Sequence, residues 1–248
     1  MSVSTFVLVP GAWHSSSCWQ RVVPLLQAHG HRVITMDLLG TGSDHTPLSQ
    51  VELVTWVNQV VDLIKEQETP VILVGHSRGG LIISEVAQRV PENIKLLIYL
   101  AAFLIPSGET VSSTVPKGKK EDFFVYHPGG TLTLKTDKMV PVLYNTTSSE
   151  WIERIPSMLS PEPLSVFSKP LQLTDDRFGR VPRAYIECTQ DNTIPLTTQR
   201  LMRDKLPCKY VVPINTDHSP FFSAPSGCHK IDSQNFSFIK REQQFFLS

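Results

Sequence analysis

The chain lacks an excess of charge of either sign, because 23 lysines and arginines balance 23 aspartates and glutamates over its 248 residues. Proteins whose main partner is nucleic acid or an anionic membrane surface usually carry a basic excess, so neither partner is expected. Long apolar runs are also missing, since none approaches the length of about 20 residues that a membrane-spanning helix needs. The N-terminus shows neither a charged leader nor a cleavable apolar segment. These absences together predict a cytoplasmic protein.

Cysteine is scarce and widely spaced: the four cysteines are Cys18, Cys188, Cys208 and Cys228. They form no C-x-x-C pair and match no spacing typical of metal ligands, so no metal site is predicted. A disulfide framework is typical of small secreted domains, whereas a chain of this length can bury a substantial core without one. Free thiols in a reducing compartment are therefore the better interpretation.

The sequence does contain a regular alternation of buried strands and helices. Short runs rich in Val, Ile and Leu predict strands over Thr5–Pro10, Arg32–Met36, Val71–Gly75, Leu96–Ala101, Ala184–Cys188 and Tyr210–Ile214. Helices are expected around Trp19–His29 (kinked or starting late at Pro24), over Leu53–Ile64, over Leu81–Val90 and over Thr197–Leu206. We expect a capping box of Ser49 and Glu52 before the second of them. This alternation predicts an α/β fold with a mostly parallel central sheet and helices on both faces.

The alternation is interrupted after Phe103. From Leu104 to Val181 the chain is rich in Pro, Ser and Thr, with only short helical fragments such as Lys138–Tyr144 and Ser149–Ile155. A stretch of this length between two sheet strands is more often a lid than a structureless loop. The predicted organisation is a core of residues 1–103 and 182–248 with an inserted cap of residues 104–181. The tail after Pro225 has no clean helical period, and its phenylalanines could cover the sheet.

The motif Gly75-His76-Ser77-Arg78-Gly79 lies between a predicted buried strand and a predicted helix. A G-x-S-x-G motif in this context is typical of a nucleophile elbow, a strand-to-helix turn so sharp that only glycines leave room for the two elements to approach. The turn exposes the serine hydroxyl above the sheet and directs a helix N-terminus at it, which favours developing negative charge. Ser77 is therefore the candidate nucleophile.

A serine nucleophile needs a base and an acid, which follow it in this architecture on loops after late strands. Asp191 follows the strand over Ala184–Cys188, and His218 follows the strand over Tyr210–Ile214. Asp217 precedes His218 directly and is poorly placed to orient its ring. The sequence predicts a triad of Ser77, Asp191 and His218.

An acyl-transfer site also needs two backbone N–H donors for the oxyanion. The predicted donors are Arg78, directly after the nucleophile, and Ala12, in the loop after the first strand, where Gly11 allows close backbone approach. Candidates for the wall of a substrate pocket are Trp13, His14, Phe103, Tyr126 and Trp151. The alternative for each is that it packs in the core or holds the cap against the sheet.

The entry loop Gly11-Ala12-Trp13-His14, the Gly-His-Ser-x-Gly-Gly elbow, the Asp191 loop and the Asp-His loop together resemble a branch of the α/β-hydrolase superfamily. That branch contains small plant methyl esterases and hydroxynitrile lyases, and bacterial carboxylesterases such as pyrethroid hydrolases are similar to it. The resemblance covers roughly residues 5–225. It implies an α/β-hydrolase fold with a mobile cap and a Ser-His-Asp hydrolase that needs no cofactor.

Two positions depart from that family pattern. Pro10 stands where a His usually precedes the loop glycine, which can alter the loop but leaves the donor N–H intact. Ser219 stands where the cyanohydrin-cleaving members carry a Lys directly after the catalytic His, which counts against lyase activity.

The expected function is cleavage of small, neutral, hydrophobic carboxylic esters through an acyl-enzyme. Alternatives on the same scaffold are a hydroxynitrile lyase, a C–C bond hydrolase, or a hydrolase-like small-molecule receptor, because a fold does not determine a reaction class. The natural substrate and the question of a homodimer are left open by the sequence.

Overall fold

The computed structural model describes residues 3–114 and 123–228. Its strands are β1 (Thr5–Val9), β2 (Arg32–Thr35), β3 (Val71–His76), β4 (Ile94–Leu100), β5 (Phe124–His127), β6 (Thr131–Leu134), β7 (Glu162–Pro163), β8 (Arg183–Cys188) and β9 (Tyr210–Ile214). Its helices are α1 (Val23–Ala28), α2 (Leu53–Lys65), α3 (Gly79–Arg89), α4 (Val111–Thr114), α5 (Thr136–Leu143), α6 (Ser149–Ile152), α7 (Leu196–Lys205) and α8 (Pro220–Ser223). No helix in these ranges is both long and apolar enough to span a membrane.

Six of the strands form one sheet in the order β2-β1-β3-β4-β8-β9, and every neighbouring pair is parallel. Alternate side chains of β3 enter different cores, because successive residues of a strand point to opposite faces. Val71 and Leu73 pack in the core that contains α2 and α3, whereas Ile72 and Val74 pack in the core that contains α1 and α8. The predicted fold class, a parallel sheet with helices on both faces, is confirmed.

The starts of two helices refine the sequence predictions. Helix α1 starts late, at Val23, with Pro24 in its first turn, where a missing N–H costs little. The predicted capping box of Ser49 and Glu52 was wrong. Ser49 lies in a separate 3₁₀ turn, and Glu52 is the N-cap of α2, its N–H donating to Thr55 Oγ1 over 3.2 Å.

The segment between β4 and β8 contains a second, antiparallel sheet in the order β5-β6-β7. The sequence pattern indicates only helical fragments here, which correspond to α5 and α6. The hairpin turn between β5 and β6 contains Gly129 and Gly130, both with positive φ. Two glycines between short strands are a recognisable hairpin signal that the proline-rich context concealed. Residues 229–248 of the tail, with the phenylalanines expected to cover the sheet, lie outside the described residues.

Candidate active site

Ser77 occupies the turn between β3 and α3 with a φ of 50°, a left-handed conformation that costs energy for any residue but glycine. The turn is tight: a Cβ on Gly75 would lie 2.7 Å from the carbonyl oxygen of Gly79. The Ser77 backbone is bonded to the end of β4 and to the loop after it, because Ser77 N–H donates to Leu100 O and Phe103 N–H donates to Ser77 O. The strained serine is therefore held from several sides, as an elbow requires.

His218 and Asp191 meet at the ends of β9 and β8. His218 Nδ1–H donates to Asp191 Oδ2 over 2.7 Å, and both side chains are buried. The second carboxylate oxygen of Asp191 accepts the N–H groups of Thr193 and Ile194 at 2.7 and 2.8 Å. Within the described residues, His218 Nε2 has no hydrogen-bond partner. The ring is thus fixed at Nδ1 and has a free acceptor at Nε2, the state that a general base needs.

Asp217 has a different set of partners. Its fully buried carboxylate accepts hydrogen bonds from Thr146 N–H, Thr147 Oγ1, Ser219 N–H and Ser223 Oγ, at distances between 2.7 and 3.0 Å. These bonds join the loop that carries His218 to the segment after α5. Both carboxylate oxygens of Asp217 accept hydrogen bonds from this junction. The carboxylate bonded to the His218 ring is that of Asp191.

Two further buried histidines lie beside His218. His76 Nε2–H donates to His218 O over 2.7 Å, and the two ring centroids are 4.7 Å apart. His14 Nδ1–H donates to Ala12 O, and Tyr144 Oη donates to His14 Nε2, both over 2.8 Å. Burial lowers the pKa of His14 to about 3 and that of His76 well below its usual range. Both rings are therefore neutral at neutral pH.

The loop after β1 lies directly against the nucleophile. A Cβ on Gly11 would come within 2.8 Å of the Ser77 Cβ, so only glycine permits this approach. Within residues 3–114 and 123–228, neither the Ala12 nor the Arg78 backbone N–H donates a hydrogen bond to another group. These are the two N–H groups that the sequence suggests for the oxyanion; Arg78 follows Ser77 in the chain, and Ala12 lines the same cavity as Ser77.

The Arg78 side chain is fully buried and does not line the cavity that Ser77 lines. Its Nε lies 2.8 Å from Glu162 Oε1, its Nη2 donates to Gly11 O over 2.9 Å, and its guanidinium carbon lies 4.1 Å from the centre of the Trp56 ring. Burial lowers the pKa of Arg78 and raises the pKa of Glu162, and the attraction between them opposes both shifts. Sequence reasoning missed Glu162; an arginine inside a buried motif, which needs an opposite charge, was the available signal.

A cavity of about 360 Å³ opens at Ser77. Its lining residues are mostly apolar and none carries a charge: Ala12, Trp13, Ser77, Phe103, Val111, Ser112, Phe123, Phe124, Tyr126, Leu132, Val142, Leu164, Phe167 and Thr193. The candidate wall residues Trp13, Phe103 and Tyr126 line this cavity. His14 and Trp151 do not: His14 is buried against Tyr144, and Trp151 stacks on Phe222 with ring centroids 5.4 Å apart.

The described part of the chain contains no group of three or more His, Cys, Asp or Glu side chains that could hold a metal ion. Its four cysteines are free thiols.

Comparison with known proteins adds an independent line of support. A family model described as "Alpha/beta hydrolase family" matches residues 6–229. Methylesterase 2 of Arabidopsis thaliana is 33% identical over 242 residues, which cover 89% of this chain and 91% of that protein. Pyrethroid hydrolase of Sphingobium wenxiniae is 31% identical over 238 residues, which cover 91% of this chain and 85% of that protein. The crystal structure of a pyrethroid hydrolase from Sphingobium faniae superimposes with a TM-score of 0.83 and 30% identity, over 94% of this chain and 96% of that chain.

The resemblance to plant methyl esterases and bacterial pyrethroid hydrolases is confirmed by these matches. They extend over nearly the whole chain, including the elbow, both loops that carry Asp191 and His218, and the segment between β4 and β8. The chain belongs to the alpha/beta hydrolase family.

Proposed function

We propose that the protein is a serine hydrolase that cleaves carboxylic esters through an acyl-enzyme. The observation that carries the proposal is the 2.7 Å bond from His218 to Asp191, which leaves His218 Nε2 unpartnered. The His218 loop is joined to the elbow, because His76, the residue before the strained Ser77, donates to His218 O. The relatives support the chemistry, since those named are a methylesterase and a pyrethroid hydrolase.

In the first half of the reaction, His218 Nε2 takes the hydroxyl proton as Ser77 Oγ attacks the ester carbonyl carbon. The carbonyl oxygen becomes an oxyanion that accepts the N–H groups of Ala12 and Arg78. Asp191 holds the tautomer with hydrogen on Nδ1 and stabilises the imidazolium that forms. The C–O bond to the alcohol then breaks, and the departing oxygen takes the proton from His218.

In the second half, His218 takes a proton from water, whose oxygen attacks the acyl carbon on Ser77. The tetrahedral intermediate collapses to the free acid, and Ser77 Oγ recovers its proton from His218. The neutral state of His76 and His14 matters here, because charged neighbours would repel the transient His218 imidazolium.

The lining of the cavity supports small, neutral, hydrophobic esters as substrates. A charged group would lose its hydration on entering and would meet no charged partner there. Nine of the lining residues belong to residues 104–181: Val111, Ser112, Phe123, Phe124, Tyr126, Leu132, Val142, Leu164 and Phe167. We therefore propose that this segment acts as a substrate-selecting cap on a core of residues 1–103 and 182–248.

The test compares the wild type with Ser77→Ala on p-nitrophenyl acetate and p-nitrophenyl butyrate. We expect kcat to fall by about 10⁴–10⁶ while circular dichroism and Tm stay those of a folded protein, since a triad without its nucleophile loses nearly all turnover. Ser157→Ala, at an exposed serine, is the matched control and should keep wild-type rates. Hydrolysis that survives in folded Ser77→Ala would contradict the proposal. Slow or single turnover by the wild type, with ligand-dependent binding of a protein partner, would favour the receptor alternative instead.

A further inference from the structure

The buried ion pair of Arg78 and Glu162 holds the backbone on both sides of Ala12. Arg78 Nη2 donates to the carbonyl oxygen of Gly11 over 2.9 Å, and Glu162 Oε2 accepts the N–H of Trp13 at 3.1 Å. The Gly11 carbonyl and the Ala12 N–H belong to the same peptide group. Because that group is planar and trans, its N–H points opposite to its C=O, so fixing the carbonyl fixes the direction of the N–H.

We propose that Arg78 and Glu162 are positioning residues that aim the Ala12 N–H at the oxyanion. The inference rests on the proposed function and adds to it, since the side chain of Arg78 acts on one donor while its own backbone N–H supplies the other. The guanidinium is suited to this task because its planar fork can bind a carboxylate and a carbonyl at once with fixed geometry. Trp56, against the face of the guanidinium, restricts its orientation further.

Trp13 shows why the loop needs such support. It has a φ of 64°, which a bulky residue adopts only when its surroundings determine it from several directions. Besides the N–H bond to Glu162, the Trp13 indole Nε1–H donates to Leu132 O over 3.3 Å. Leu132 on β6 is the register partner of Glu162 on β7. The small antiparallel sheet therefore holds the Ala12 loop through both Trp13 contacts.

The burial of the pair argues against a role in binding substrate. Both side chains have no exposed surface, and neither lines the cavity at Ser77. A buried ion pair is often no more stabilising than an apolar pair of similar size. The pair makes two backbone contacts, one on each side of the Ala12 N–H. These contacts fix the direction of a proposed oxyanion donor, a role that is separate from any contribution to the free energy of unfolding.

The test uses the double variant Arg78→Met/Glu162→Met, which removes both backbone contacts and both charges together and leaves no unpaired charge in the interior. Removing one oxyanion donor costs about 10²–10³ in kcat. Misdirecting the donor should cost less, so we expect kcat for p-nitrophenyl butyrate to fall about 10- to 100-fold with KM changed by less than about threefold. Arg78→Lys, which retains a cation able to donate to Gly11 O, should recover part of the loss.

Hydrogen exchange provides a readout that needs no turnover. The Trp13 and His14 amides, which donate to Glu162 and to Gly11 O, should exchange at least about tenfold faster in the double variant, while the β3 amides keep their protection. The control is Arg203→Met/Glu187→Gln, an ion pair on α7 and β8 away from the cavity. This control can change Tm but should leave kcat and the exchange of Trp13 and His14 as in the wild type.

The outcomes separate the two proposals. An active wild type whose double variant keeps its kcat, or loses it only in proportion to unfolded protein, would overturn the positioning role alone. That role is also overturned if Arg78→Lys and the double variant lose kcat equally at equal Tm. A wild type without hydrolysis that depends on Ser77, but with faster exchange at Trp13 and His14 in the double variant, would contradict the proposed function and leave the loop-holding role of the pair supported.

Discussion

Acid should destabilise this protein through its two buried, neutral histidines, His14 and His76. Burial lowers the pKa of His14 to about 3, whereas an unfolded chain returns it to its usual value of 6.5. Above pH 6.5 both states are neutral, and the full stability is present. As the pH falls below 6.5, His14 binds a proton in the unfolded state but stays neutral in the folded state. The free energy of unfolding therefore decreases until the pH nears 3. His76, whose pKa is lowered by burial and by the neighbouring His218, acts with the same sign.

The magnitude for His14 follows from these two pKa values. At pH 5.5 the unfolded state gains about 1.4 kcal/mol from protonation of this one ring, while the folded state gains almost nothing. The polar contacts of the ring can be kept without a titrating group: in His14→Gln the amide can donate to Ala12 O and accept from Tyr144 Oη. This variant should therefore lose less stability between pH 7.5 and 5.5 than the wild type, by about 1.4 kcal/mol.

The assay is urea unfolding of both proteins at pH 7.5 and 5.5, followed by tryptophan fluorescence. Each protein gives one loss in the free energy of unfolding between pH 7.5 and 5.5. Groups that titrate alike in both proteins contribute equally to the two losses, so the difference between the losses is the His14 contribution. An equal loss of stability in the two proteins would refute the reasoning, because it would mean that His14 is protonated in the folded state or is solvated. A larger loss in His14→Gln would refute it as well.

Three further predictions concern the site. Asp191→Asn should lower kcat about 10⁴-fold, because it permits the wrong His218 tautomer. Asp217→Asn should lower kcat far less and should chiefly lower Tm. The reverse ranking of kcat in folded variants would contradict the assignment of Asp191. Mandelonitrile should release no cyanide above the buffer rate, because Ser219 places no cation beside His218; release that Ser77→Ala abolishes would show lyase activity. For neutral and anionic esters with the same leaving group, kcat/KM should favour the neutral ester, and a preference for the anionic one by more than about tenfold would reveal a cationic anchor in the cavity.

The sheet and the elbow could be predicted because their signals are local. β3 is a run of buried Val, Ile and Leu side chains that leads directly into the glycine-flanked Ser77. Parallel sheets buried on both faces produce such runs, and the sharp turn demands those glycines. The proposal of Asp191 over Asp217 also needed only the chain order and the distance along the loop.

The rest depends on contacts that no local pattern specifies. Glu162 lies far from Arg78 in sequence, and only the folding of β7 against the elbow brings the two charges together. Aromatic residues were equally ambiguous, because core and cavity both favour them. Tyr126 lines the cavity, whereas Trp151, equally plausible from sequence, stacks on Phe222. Which surface an aromatic side chain covers is decided by the path of residues 104–181, not by its neighbours in the chain.

The central claim, an acyl-enzyme on Ser77, is tested most directly by covalent labelling with diethyl p-nitrophenyl phosphate and peptide mass spectrometry. The hydroxyl activated by His218 should displace p-nitrophenol, so one diethylphosphoryl group should appear on the peptide that contains Ser77 as hydrolytic activity disappears. Ser77→Ala should take up no label, and Asp191→Asn should be labelled far more slowly. Stoichiometric labelling of another residue, or full inactivation of the wild type with Ser77 unmodified, would contradict the account.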